Sequence, residues 1–210
     1  MSVEVLPGLV GPEEEGAAAR SHAYRLFAEA FEYPDESRVD MIRQGKLAEA
    51  LGEALGALDP KLVDEIDWDA LRDPGQKDDL AIEHTRLFEV GVSGPPCPLC
   101  GGLYGGARMK TMEEAVRFYN HFGLTLSEEP RELPDHLTTE LEFLHYLSFR
   151  EAQALQSGED PGPYQRAQRD FIKRHPGRWV PELYALLGQQ HPMCFFRELV
   201  RALRDFLEHV

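Results

Sequence analysis

Apolar residues recur at helical spacing through most of the chain. Tyr24, Phe27 and Phe31 fall on one side of residues 17–31, and Tyr33-Pro34 closes that pattern. Leu47, Leu51, Leu55 and Leu58 form a second stripe over residues 39–58, ended by Asp59-Pro60. A weaker helix is expected over residues 61–71. Leu80, His84, Leu87 and Phe88 share a face within residues 78–88. Thr111 is expected to open a helix, with Glu114 completing a capping box, Met112, Ala115, Val116 and Tyr119 facing inward, and Gly123 as the stop. Leu137, Leu141, Leu144 and, one turn on, Tyr146 or Leu147 mark a central helix. Further helices are predicted over residues 162–175, 178–190 and 192–210. The last has a broad apolar face of Phe195, Phe196, Leu199, Val200, Leu203, Phe206 and Leu207. No segment alternates convincingly at period two. The expectation is an all-α, single-domain multi-helix bundle over residues 1–210, with residues 1–16 flexible.

Composition narrows the function. A chain of 210 residues, 42% of them hydrophobic, is long enough to bury its own core. The formal net charge of -15 argues against nucleic acid and favours a basic partner, such as a peptide rich in Arg. No run approaches the roughly 18 consecutive apolar residues that cross a bilayer, so no membrane insertion is expected. Residues 1–16 carry Glu13-Glu14-Glu15 and no apolar core, unlike a secretory signal. Three cysteines supply no paired disulfide framework, and a cytoplasmic location follows as the expectation.

One connection is long: residues 89–109, dense in Gly and Pro, where a loop is usually functional or mobile. Within it, Cys97-Pro98-Leu99-Cys100 is half of a zinc site, but no second pair of ligands follows at the right spacing. A thiol switch lacks the strand-helix context that lowers a thiol pKa. Gly101-Gly102, Gly105-Gly106 and Lys110-Thr111 miss the spacing of a phosphate loop. No nucleophile and base stand in a recognisable order, so no enzyme activity is expected.

The most informative stretch is Glu132-Leu133-Pro134-Asp135-His136-Leu137, which runs into the central helix. Pro134 stiffens an acidic loop, Asp135 is expected to cap the helix, and His136 stands in its first turn. The residues support two readings: a helix cap with a satisfied histidine, or a grip on a ligand or peptide. Trp179, in His175-Pro176-Gly177-Arg178-Trp179, reads as a core residue at a helix junction rather than a ligand platform.

These segments in this order resemble the TorD/DmsD/NarJ family of redox-enzyme maturation chaperones. The matching residues are Phe31-Glu32-Tyr33-Pro34, Glu83-His84-Thr85-Arg86-Leu87-Phe88, the Gly/Pro loop, the segment from Glu132 to Leu137, His175 through Trp179, and His191-Pro192. The Leu-Pro-Asp-His-Leu core followed by Glu140-Leu141-Glu142-Phe143-Leu144 is most similar to the nitrate-reductase branch and its type II dimethyl sulfoxide reductase-family relatives. The resemblance implies an all-α chaperone, monomer or dimer, with no cofactor of its own. Its implied partner is the apo catalytic subunit of a molybdenum enzyme of the dimethyl sulfoxide reductase family, which later receives molybdopterin guanine dinucleotide. The implied contact is an N-terminal twin-arginine leader or its remnant. By position, Leu87, Phe88, Glu132, Pro134, Asp135 and His136 are expected to bind that peptide, with His84 and Trp179 as accessories. A zinc- or thiol-switch protein using Cys97 and Cys100, and a plain helical adaptor, are the alternatives.

Overall fold

The computed structural model describes residues 11–105, 107–125 and 133–210. Helix α1 (Pro12–Phe31) begins earlier than the apolar stripe indicates. Pro12 presets the first helical φ, and Glu13, Glu14 and Glu15 sit favourably at the positive end of the helix dipole. Of the tail expected to be flexible, residues 12–16 form the first turns of α1, and residues 1–10 lie outside the described residues.

The single helix expected over residues 39–58 is two: α2 (Glu36–Arg43) and α3 (Lys46–Leu58). Gly45 separates them at φ 76°, a backbone region that a side chain rarely tolerates. Asp35 caps α2 by accepting the Arg38 N–H at 2.9 Å. The weak stretch 61–71 forms only a short α4 (Lys61–Asp64) and a 3-10 turn at Ala70–Arg72. Helix α5 (Asp79–His84) runs directly into a π-helical turn, Thr85–Glu89. Helix α6 (Arg108–His121) starts before Thr111, which lies inside it and donates its N–H to Ala107 O at 3.1 Å. The expected capping box does not form; Glu114 instead pairs with Arg174 at 2.9 Å. Then come α7 (Leu137–Ser157), α8 (Gly162–Arg174), α9 (Pro176–Gln189) and α10 (Cys194–His209).

Helix α1 lies along α7 and also carries α3, while α8 packs on α7, α9 on α8, and α10 on both α9 and α1. Among the described residues there is no strand, only isolated bridges at Val92–Gly94 and Cys100–His136. The core matches the apolar stripes. Tyr24 and Phe27 of α1 meet Phe206 of α10, with ring centroids 4.9 and 5.7 Å apart. All seven apolar residues expected on the α10 face are buried. Each such side chain contributes roughly 1.5–3 kcal/mol by leaving water. A partly buried ion pair supplements this packing: Arg20 places one guanidinium nitrogen 2.9 Å from both oxygens of Glu151, tying α1 to α7.

Candidate functional site

The π-helical turn opens the α5 spiral by one residue, so Val90 N–H reaches Thr85 O at 3.1 Å. Leu87 and Phe88 point into the core at this turn. Just before it, Glu83 takes two hydrogen bonds from Arg86, at 2.7 and 2.9 Å, and one from Met193 N–H at 2.9 Å. Burial opposes the charge on Glu83, yet Arg86 and the Met193 amide outweigh it and hold the carboxyl below its ordinary range. Arg86 also donates to Gln190 O at 3.2 Å, which fixes the His191-Pro192 corner. On the other side, His84 Nε2 lies 3.2 Å from Phe31 O, and its ring meets Tyr33 edge-on at 5.6 Å.

The Gly/Pro loop is laced between this turn and the start of α7. Cys97 N–H donates to Leu87 O at 3.0 Å, and Leu137 N–H donates to Leu99 O at 2.8 Å. Gly101 N–H donates to Asp135 O at 2.8 Å, and Gly102 N–H donates to Asp135 Oδ2 at 2.9 Å. Tyr119 OH holds Pro134 O at 2.6 Å, and Tyr104 OH holds Pro98 O at 2.6 Å. Two glycines are required by contact. A Cβ on Gly101 would stand 2.7 Å from Trp179 Nε1, and one on Gly102 would stand 2.8 Å from Asp135 Oδ2 and 2.9 Å from Arg108 Cα. Tyr104 stacks on Trp179 at 5.0 Å; Trp179 N–H donates to Glu140 Oε2 at 3.0 Å; Glu140 Oε1 lies 3.5 Å from His175 Nδ1. The loop expected to be functional or mobile is a clamp, closed by directional bonds and by absent side chains.

Burial decides the charge state of this clamp. His136 and His175 are each pushed down to about 4, mainly by burial, and burial lowers His84 as well. The nearby His84 adds to the depression of His136, which places the two rings in one electrostatic neighbourhood. Glu140 is raised well above the ordinary carboxyl range by burial, with Asp135 adding to it. Neutral histidines are the resulting forms at neutral pH, and burial disfavours the charged form of Glu140.

The structure gathers the peptide-site residues expected from sequence, but not as a surface. Asp135, Leu87, Phe88, His84 and Trp179 are all buried, Asp135 completely. The direct peptide grip expected of Asp135 is therefore corrected: its carboxylate holds Gly102, and direct contact with a peptide would require the clamp to open. Nor is Asp135 the helix cap. His136 occupies that position, its Nδ1 2.8 Å from Thr138 Oγ1 and accepting the Thr138 N–H at 3.4 Å. Pro134 and His136 are half-buried, and Glu132 lies outside the described residues together with Glu128 and Glu129. Trp179 is the core residue the sequence indicated.

Sequence reasoning missed the residues that remain exposed around the clamp. Leu103 is 48% exposed, Met109 66% and Leu133 39%. They adjoin Gly102, Arg108 and Pro134 in the chain, and Gly102 is in close contact with both Arg108 and Asp135. The signal was available: single large apolar side chains in otherwise small or polar surroundings. Cys97 is wholly buried, and burial pushes its thiol up to about 11, so it stays protonated and unreactive at neutral pH. Among the described residues no group of three or more His, Cys, Asp or Glu side chains is placed to hold a metal ion.

A model of the family described as nitrate reductase delta subunit matches residues 44–185. The perchlorate reductase assembly chaperone protein of Dechloromonas aromatica is 31% identical over 90% of this chain and 87% of its own length. The selenate reductase assembly chaperone protein of Thauera selenatis is 35% identical over 78% of this chain and 74% of its own. For the dimethyl sulfide dehydrogenase assembly chaperone protein of Rhodovulum sulfidophilum the identity is 34%, over 92% and 81%. Among solved structures, a proposed redox enzyme maturation protein from Archaeoglobus fulgidus superposes with a TM-score of 0.50 at 26% identity, covering 90% of this chain and 93% of that one.

Proposed function

The chain belongs to the nitrate reductase delta subunit family, and from that membership we propose that it is an assembly chaperone for the catalytic subunit of a molybdenum oxidoreductase. It works by binding, not catalysis, and needs no cofactor of its own; the molybdopterin guanine dinucleotide belongs to the client. It holds the apo subunit in the cytoplasm, through a twin-arginine leader or its remnant, until the cofactor is inserted. The observation that carries this reading is the convergence of the family-like segments, as far as the described residues go, on one clamp with exposed apolar side chains around it. A leader is basic and then apolar. The net charge of -15 draws the basic part at long range, and Leu103, Met109 and Leu133 receive the apolar part. The buried residues beneath, Asp135 foremost, set the shape of that rim without touching the peptide. The protonated Cys97 thiol disfavours a thiol switch as the alternative.

Calorimetry of the full chain against a synthetic leader peptide tests this placement. Changing Met109→Asp together with Leu133→Asp should weaken binding by about 1–3 kcal/mol, with little change in thermal midpoint because both side chains are exposed. Ile82→Asp, at another exposed aliphatic position, should leave affinity unchanged. Equal affinity for the double variant and the parent chain would remove the rim as the site.

A further inference from the structure

The acidity of the chain is unevenly placed. Helices α6 and α8 together hold seven of its 22 basic residues and only three of its 37 acidic ones. Between them lies a cleft of about 550 Å³, lined from Pro163 to Arg174 along α8 and from Glu114 to Phe122 along α6. Arg108 and Phe122 are separated by about 20 Å along that helix. Phe118 and Phe122, both partly buried, form the cleft's apolar floor with Ala167. The floor is held in shape from behind: Phe118 meets Phe171 edge-on at 5.2 Å, and Phe122 lies 5.8 Å from Tyr164. Arg117, Arg166 and Arg174 stand exposed on the rim. The two rim carboxylates do not cancel them: Glu114 accepts a hydrogen bond from Arg174 at 2.9 Å and also feels Arg117, and three guanidinium groups stand against two carboxylates. Among the described residues, neither Arg117 nor Arg166 pairs with a carboxylate.

In so acidic a protein, exposed arginines above aromatic rings are a specific arrangement. A guanidinium fork matches a carboxylate in geometry as well as charge, and the rings beneath offer an apolar anchor point. The volume suits one or two side chains. A long polyanion would meet the repulsion of the remaining surface, whereas a short acidic segment would not. We propose that the α6–α8 cleft docks an acidic linear segment of a partner protein, which inserts one aromatic side chain between Phe118 and Phe122 while its carboxylates meet Arg117 and Arg166. The polarity is opposite to that of a basic leader, so the two ligands would not compete for one surface.

Fluorescence anisotropy with the full chain and a labelled peptide of glutamates around a central phenylalanine reads this directly. Arg117→Glu with Arg166→Glu should weaken binding about tenfold or more. Arg169→Glu with Lys173→Glu makes the same change in net charge outside the cleft lining and should weaken it less than about twofold, after screening by salt. Replacing the peptide's phenylalanine by alanine should also weaken binding markedly. Circular dichroism shows whether each variant keeps the parent's helix content, and the exposed position of all four side chains predicts that it does. Equal losses from both charge pairs, indifference to the phenylalanine, or stronger binding of single-stranded oligonucleotide than of peptide would each overturn the proposal.

Discussion

The two halves of this molecule are held together by different physics. Where α1, α7 and α10 meet, the contacts are mainly apolar, the Arg20–Glu151 pair and the Ser21–His145 bond apart, and Tyr24, Phe27 and Phe206 gain their stability from area removed from water. At the clamp the contacts are directional. Two amide groups converge on one aspartate, and two glycines sit where a Cβ would collide. Apolar packing tolerates a change of shape if volume is kept, whereas a hydrogen-bonded clamp tolerates neither an added methyl nor a lost acceptor. The tolerant half builds the scaffold, and the intolerant half sets the shape of the proposed binding rim.

Substitutions that separate these regimes come in order of size. Phe206→Ala should cost about 3–5 kcal/mol in denaturant unfolding, whereas Phe206→Leu, which keeps most of the volume, should cost under about 2 kcal/mol. Gly102→Ala adds one methyl group and should nevertheless cost about 3 kcal/mol, because it meets the Arg108 backbone and the Asp135 carboxylate at under 3.0 Å. A larger loss from Phe206→Leu than from Gly102→Ala would erase the contrast.

Acidification probes the buried histidines, those of the clamp together with His22 and His145 between α1 and α7. His136 and His175 are depressed to about 4 in the folded chain, so the unfolded chain binds their protons first as pH falls below about 6.5. Stability should therefore fall between about pH 7 and pH 5, and His84 acts in the same direction. Glu140 acts oppositely: its raised pKa means that folding favours its protonated form, so acid relieves a penalty that neutral pH imposes. Histidines outnumber it, and a net loss is expected in denaturant titrations at the two pH values. Glu140→Gln keeps an acceptor for Trp179 and should stabilise the chain by about 1 kcal/mol at pH 7 while steepening the acid loss. A flat stability profile across that window would show that the histidines are not enclosed as described.

Much of the scaffold was legible before any coordinates. The stripe in α10 named seven residues, all of which are buried, and Trp179 was correctly placed in the core. The misreadings were local. Gly45 divides a helix that the leucine stripe alone left continuous, because periodicity records which face is apolar and not whether one residue turns left-handed. Thr111 carried the signature of a cap, yet the helix had already begun at Arg108. For the candidate site, the segments singled out from sequence meet in the fold, with Asp135 inside rather than at a surface. Asp135 read as a grip because it stands where a stiff acidic loop meets a buried helix; the Gly102 amide that donates to its Oδ2 lies 33 residues away.

Composition and periodicity determined that this chain is helical, acidic and built on one apolar frame, since local spacing and total charge need no partner to take effect. Tertiary structure alone decided that the Gly/Pro loop closes over the Leu-Pro-Asp-His turn, that the carboxyls there are enclosed, and that Leu103, Met109 and Leu133 stand outside. Those outcomes depend on which distant amide meets which carboxylate, and no spacing along the chain encodes such a meeting.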